Sequence, residues 1–237
     1  PYAQFICINI PHIIILVCII IFSPLLLKRS WISLFTDGGK FRWKTFALSM
    51  AVTLVLLIVF SFFEGNAQYE EHTALMRILF FTAALILIPL QCLSEELLTR
   101  TLIARIFCYE TYDVPLLRKI LVCSFSGILF ALLHLGGGEF SMEESSLMLL
   151  LYYFISGCSF LFITLESGGG EEALGIHIMN NMFIACMVNY RLSPYESAPL
   201  FMKNGISSIP LMILEMLAIT AAVHFTVRKT MLAEKAS

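Results

Sequence analysis

Charge is scarce in this chain. Only 14% of its 237 residues are Asp, Glu, Lys or Arg, against about 25% in an ordinary soluble domain. No run of basic residues could track a phosphate backbone, and with a formal net charge of -2 a nucleic-acid partner is not expected. The chain also lacks a CxxC pair, an HExxH helix and any GKS or GxGxxG loop. Its seven cysteines, at 7, 18, 92, 108, 123, 158 and 186, lie mostly inside apolar runs and read as reduced core residues rather than disulfides or zinc ligands. Without a nucleotide loop, the glycine triplets at 136–138 and 168–170 are helix breakers, not phosphate cradles. No repeat relates the two halves, which disfavours a small transporter.

What is abundant is apolar. Hydrophobic residues make up 59% of the chain and the mean hydropathy is +0.86, so the expected fold is all-α: a polytopic transmembrane helical bundle of about seven spans, with residues 1–237 forming a single integral membrane domain. Apolar runs are expected to cross at Phe5 to Leu27, Thr45 to Phe63, from about Arg77 toward Phe107, Ile120 to Leu135, Leu147 to Leu165, from Leu174, and Ile206 to Val227. The third is longer than one crossing needs and must tilt, kink near Pro89, or emerge as an amphipathic end. Lys28, Arg29, Lys40, Arg42 and Lys44 form the strongest basic block and mark the first connection as cytoplasmic. Arg105, Arg118, Lys119 and the tail with Arg228, Lys229 and Lys235 fall on the same side. The location is an integral, multi-pass membrane protein, in the plasma membrane if bacterial.

Against that background Gln91-Cys92-Leu93-Ser94-Glu95-Glu96-Leu97-Leu98-Thr99-Arg100 stands out. An ionisable side chain at membrane depth costs several kcal/mol unless it is paired or lines a wet cavity, and is a functional candidate by default. On a helix Glu96 and Arg100 sit at i,i+4 and can neutralise each other, while Glu95 points about 100° away with no local partner. Glu95 is therefore the better base and Glu96 the more structural of the two.

The other polar groups at depth are His134, His177, Asn180, Asn181 and Glu215. His177 and Asn181 share one helix face at i,i+4, with Asn180 beside them. A carboxylate facing an imidazole can hold a water and take its proton, and a second imidazole with an amide can donate to a developing oxyanion. Those are the parts of an amide hydrolase, and with no serine or cysteine in a nucleophile setting, water is the attacking group. Each part has a plainer reading: His134 as a helix-to-helix hydrogen bonder, Glu215 as a member of a polar pair, and His12, His72 and His224 as interfacial residues near span ends.

Glu95-Glu96-x-x-x-Arg100, Phe130-x-x-x-His134 and His177-x-x-x-Asn181, in that order, resemble the CAAX-protease and bacteriocin-processing family of intramembrane proteases, also called CPBP or Abi. The similarity covers about residues 78–190. It implies an endopeptidase in which Glu95 and His134 activate water, His177 and Asn181 support the oxyanion, and Glu96 and Arg100 have supporting roles. The substrate it implies is a membrane-anchored peptide or protein, prenylated in some relatives and bacteriocin-related in others. A regulatory membrane-protein partner is a further possibility. The metal is open: Glu95, His134 and His177 could together bind a divalent ion such as zinc, or the reaction could run without one. A non-catalytic scaffold or bacteriocin self-immunity protein is the rival reading. One conflict is built into these expectations. The expected span ends put Glu95 toward the inner end of its helix, His134 toward the outer end and His177 toward the inner end, which separates groups that must meet.

Overall fold

The computed structural model describes the chain except residues 1, 66, 109–113, 137–139, 141–145, 192, 194, 196, 206, 207 and 237. Gly137 and Gly138 of the first glycine triplet, and Ile206, the expected start of the last span, lie outside the described residues. The elements in order are α1 (Tyr2–Leu26), α2 (Trp31–Phe35), a 3-10 turn (Asp37–Gly39), α3 (Trp43–Glu64), β1 (Gln68–Tyr69), α4 (Ala74–Glu96), a π-helical turn (Leu97–Thr101), α5 (Leu102–Cys108), α6 (Leu116–His134), α7 (Ser146–Ser167), α8 (Glu171–Cys186), β2 (Val188–Tyr190), β3 (Phe201–Lys203) and α9 (Ile209–Ala236). The all-α bundle is as expected. What sequence reading did not contain is a small sheet of order β1-β3-β2, in which β3 pairs antiparallel with β1 and parallel with β2.

Among the described residues, six segments are long and apolar enough to cross a bilayer: Ala3–Leu26, Trp43–Phe63, Ala74–Cys108, Leu116–His134, Ser146–Ser167 and Ile209–Ala233. Their outward faces carry large apolar side chains such as Leu26, Phe62, Phe63 and Leu147, which suits lipid contact, and their backbone groups are satisfied within each helix. The remaining expected span is α8. At 16 residues it is shorter than the rest, and it is the central helix, packed on α3, α4, α7 and α9. Every residue from Glu171 to Ile178 is buried.

Two devices set the helix register. Charged pairs gather at one end of the bundle: Arg42 with Glu171 at 2.5 Å, Arg105 with Asp37 at 2.9 Å, His224 with Glu172 at 2.9 Å, and Lys119 with Glu166. These are the ends that the charge bias assigns to the cytoplasm. Between α6 and α7, Gly127 and Gly157 meet: a Cβ on Gly127 would come within 2.6 Å of the Phe154 carbonyl oxygen, and one on Gly157 within 2.8 Å of the Gly127 Cα. Small residues permit that backbone approach in a membrane bundle.

The third span neither breaks nor stops at Pro89. It widens later, at Leu97–Thr101, where the hydrogen bonding shifts to the π pattern before α5 resumes. Such turns recur at functional sites. This one follows the two glutamates directly, and the Ser126 hydroxyl of α6 donates to the Thr99 carbonyl oxygen at 2.7 Å, tying α6 to it.

Candidate active site

The depth conflict disappears because of where the helices run. Glu95 is not at the end of its span. The helical path continues through the π-turn to Cys108, and Arg105 in the charged ring lies roughly 15 Å further along at 1.5 Å per residue. The path of α6 is antiparallel to it, so the Ser126–Thr99 contact brings Phe130 beside Arg100 and His134 toward Glu95. His177 sits one turn and a half into α8, and its ring lies 6.2 Å from that of Phe130 and 6.0 Å from that of Phe160. Three helices thus present their polar residues at one level.

Glu95, His134, His177, Asn180 and Asn181 all line one cavity of about 490 Å³. Glu95 is 7% exposed and His177 6%. The Glu95 carboxylate is held on one side: its Oε1 accepts from Gln91 Nε2 at 3.1 Å and lies 3.6 Å from His12 Nδ1. Its Oε2 has no hydrogen-bond partner and lies 3.7 Å from His177 Nε2. One oxygen is anchored, and the other faces an imidazole.

Glu96 turns the other way and is fully buried. Its Oε1 accepts from His177 Nδ1 at 2.8 Å and lies 3.6 Å from Arg100 Nη1. The Glu96–Arg100 pair expected from i,i+4 spacing is present, but the shorter contact is to the histidine. Arg100 is sealed beneath the site: its guanidinium lies 3.9 Å over the Phe130 ring and 5.5 Å from that of Phe160, and it donates to the Thr99 hydroxyl. A cation in apolar surroundings is compensated by that carboxylate and those ring faces. Neither Glu96 nor Arg100 lines the cavity, so both support the site from behind, Glu96 by fixing the ring of His177.

The rings can be assigned from their partners. His134 Nδ1 lies 2.8 Å from the Phe130 carbonyl oxygen, which can only accept, so Nδ1 carries the hydrogen and the lone pair of the neutral ring is on Nε2. Tyr153 stacks on this ring at 4.1 Å. Asn181 donates from Nδ2 to the Tyr195 hydroxyl at 3.0 Å and accepts at Oδ1 from Asn180 at 3.3 Å. Glu215 lines the same cavity from α9.

Two neighbours of Glu95 lie outside the expected set. His12, expected to be interfacial, is turned inward from α1 and lines the cavity. Its Nδ1 lies 3.2 Å from Ser94 Oγ. The Ser94 hydroxyl donates its hydrogen to the Gln91 carbonyl oxygen at 2.8 Å, so it accepts from His12, whose Nδ1–H is then aimed at Ser94 and Glu95 together. Tyr195, from the connection between α8 and α9, reaches back among the spans. Neither residue has a local sequence signal: one lies in an apolar run and the other in a polar loop.

Among the described residues no three His, Cys, Asp or Glu side chains are arranged to hold a metal ion. The trio Glu95, His134 and His177 shares the cavity without forming such a cluster.

Residues 74–183 match the model of a family described as type II CAAX prenyl endopeptidase, Rce1-like. The match contains Glu95, Glu96, Arg100, His134, His177 and Asn181, so the resemblance read from the three motifs holds: this part of the polytopic membrane protein is similar to that family. It is also similar to the uncharacterized protein YyaK of Bacillus subtilis (strain 168), 28% identical over 179 residues, or 73% of this chain. The aligned part spans 58% of that curated relative's length. No solved structure matches the chain.

Proposed function

We propose that this protein is an intramembrane endopeptidase that hydrolyses a peptide bond of a membrane-anchored substrate. The observation that carries the reading is the convergence of Glu95, His134, His177 and Asn181 on one cavity inside an apolar bundle, with one Glu95 oxygen anchored and the other unpartnered. A water between Glu95 Oε2 and His134 Nε2 loses a proton to this pair and attacks the scissile carbonyl carbon. The carbonyl oxygen becomes an oxyanion and accepts from His177 Nε2, the ring being protonated on both nitrogens while Nδ1 stays on Glu96, and from the Asn181 Nδ2 hydrogen that otherwise goes to the Cys92 sulfur at 3.5 Å, the other staying on Tyr195. The proton returns to the amide nitrogen, the C–N bond breaks, and a carboxylate and an amine leave.

The apolar walls suit a lipidated or hydrophobic segment entering from the bilayer. The experiment uses purified protein in proteoliposomes with a farnesylated peptide ending in Cys-aliphatic-aliphatic-X and, separately, an unlipidated transmembrane peptide. Cleavage of either is expected, with Glu95→Ala and His134→Ala each abolishing it at normal protein levels. Cleavage retained in both variants ends the proposal.

A further inference from the structure

Four side chains link the two ends of the site. Asn181 Nδ2 donates to the Tyr195 hydroxyl oxygen at 3.0 Å, the Tyr195 hydroxyl donates to Gln91 Oε1 at 3.0 Å, and Gln91 Nε2 donates to Glu95 Oε1 at 3.1 Å. Every role in this chain is forced. A carboxylate oxygen can only accept, so the Gln91 amide must turn its NH2 to Glu95 and its carbonyl to Tyr195. The phenol therefore donates to Gln91 and has only its oxygen lone pairs for Asn181. Burial pushes the Tyr195 phenol well above its ordinary range, so it keeps the hydrogen it donates.

Tyr195 is itself firmly placed. Its carbonyl oxygen accepts from Asn189 Nδ2 at 2.9 Å, its N–H donates to Ser193 Oγ at 3.1 Å, and its ring meets the fully buried Phe5 of α1 edge-on at 5.8 Å. It lies beyond the family match, which ends at residue 183. A loop residue buried to 6% exposure between the two arms of the site has the position of a strut.

We propose that Tyr195 and Gln91 are positioning residues: a one-way hydrogen-bond chain through them holds the base Glu95 and the oxyanion amide Asn181 at a fixed separation, so the α8–α9 connection is a working part of the site. The proposal rests on the reading of Glu95 and Asn181 given above. Removing the phenol hydroxyl frees the Gln91 amide to turn over and present its carbonyl to Glu95, and it releases Asn181. Removing the Gln91 amide takes the donor from Glu95 but leaves Asn181 on the Tyr195 oxygen.

The test compares wild type, Tyr195→Phe, Gln91→Leu, their double variant and Glu95→Gln on the same proteoliposome substrate. Tyr195→Phe is expected to lower kcat about tenfold or more with KM within about twofold. Gln91→Leu lowers it less, and the double variant matches Tyr195→Phe because both act through one chain. A kcat unchanged in Tyr195→Phe while Glu95→Gln is inactive overturns the chain and leaves the endopeptidase reading standing. So does a double variant whose loss is the product of the singles, or a KM that rises with kcat unmoved, which makes Tyr195 a substrate contact. Wild type that cleaves nothing overturns the endopeptidase reading. The chain is then judged by infrared difference spectra, in which the Glu95 carboxyl band, assigned through Glu95→Gln, must shift in Tyr195→Phe; an unshifted band overturns it.

Discussion

The cavity has two unlike walls. One is built by α4, α6 and α8 and carries residues at fixed spacings in short motifs. The other is built by α1, the α8–α9 connection and α9, and carries His12, Tyr195 and Glu215 at positions that no spacing links. The first wall holds the groups proposed to touch the reacting atoms; in the second, His12 lies beside Glu95 and Tyr195 accepts from Asn181. Chemistry fixes the first wall tightly, because a base, a water and an oxyanion donor must meet within hydrogen-bond reach. The second wall needs only to brace them, and different side chains can do that.

The largest expected effect separates the walls most sharply. Glu95→Gln keeps the shape and the Gln91 and His12 neighbours but removes the proton acceptor, and cleavage should fall by about a thousandfold or more with the unfolding midpoint in detergent nearly unmoved. Activity surviving that change would erase the distinction between the walls. Next, Arg100→Met takes away the cation behind Glu96 and leaves a buried carboxylate poorly compensated. A destabilisation of about 3–5 kcal/mol is expected, read as a lowered midpoint in denaturant titration, and an unaltered midpoint would show that the Glu96–His177 contact alone suffices. Smallest is His12→Ala, which removes one of two groups on Glu95 Oε1. A loss in kcat of about three- to tenfold with KM unchanged is expected, and an unchanged kcat would reduce α1 to scaffolding.

The legible part of the molecule is the motif wall. Long apolar runs announce helices because a bilayer demands them, and a carboxylate pair inside such a run has few bland explanations. The i,i+4 spacing of His177 and Asn181 placed both on one face without knowledge of the fold. The span ends were not legible. The continuation of the Glu95 helix toward Phe107 was expected, but nothing in the composition says that it widens into a π-turn at Leu97–Thr101 or that α8 is short and central, and those two facts bring the helices to one level. His12 and Tyr195 were beyond reach for a different reason. Their importance comes only from what faces them across the bundle, His12 across to α4 and Tyr195 across to both α4 and α8, and such pairings leave no trace in local periodicity. The Glu96–Arg100 pair shows a partial success: spacing found the partner, but the closer contact to His177 came from packing.

The widened turn at Leu97–Thr101 also bears on protein engineering. In that segment, counting residues misstates direction, because a helical wheel drawn at 3.6 per turn assigns Thr99, Arg100 and everything downstream to the wrong bearing. Excising one residue there would restore ordinary winding and swing the rest of the span about its axis, pulling the guanidinium from between its aromatic plates. A library that substitutes at every position but never changes length would leave this control untouched.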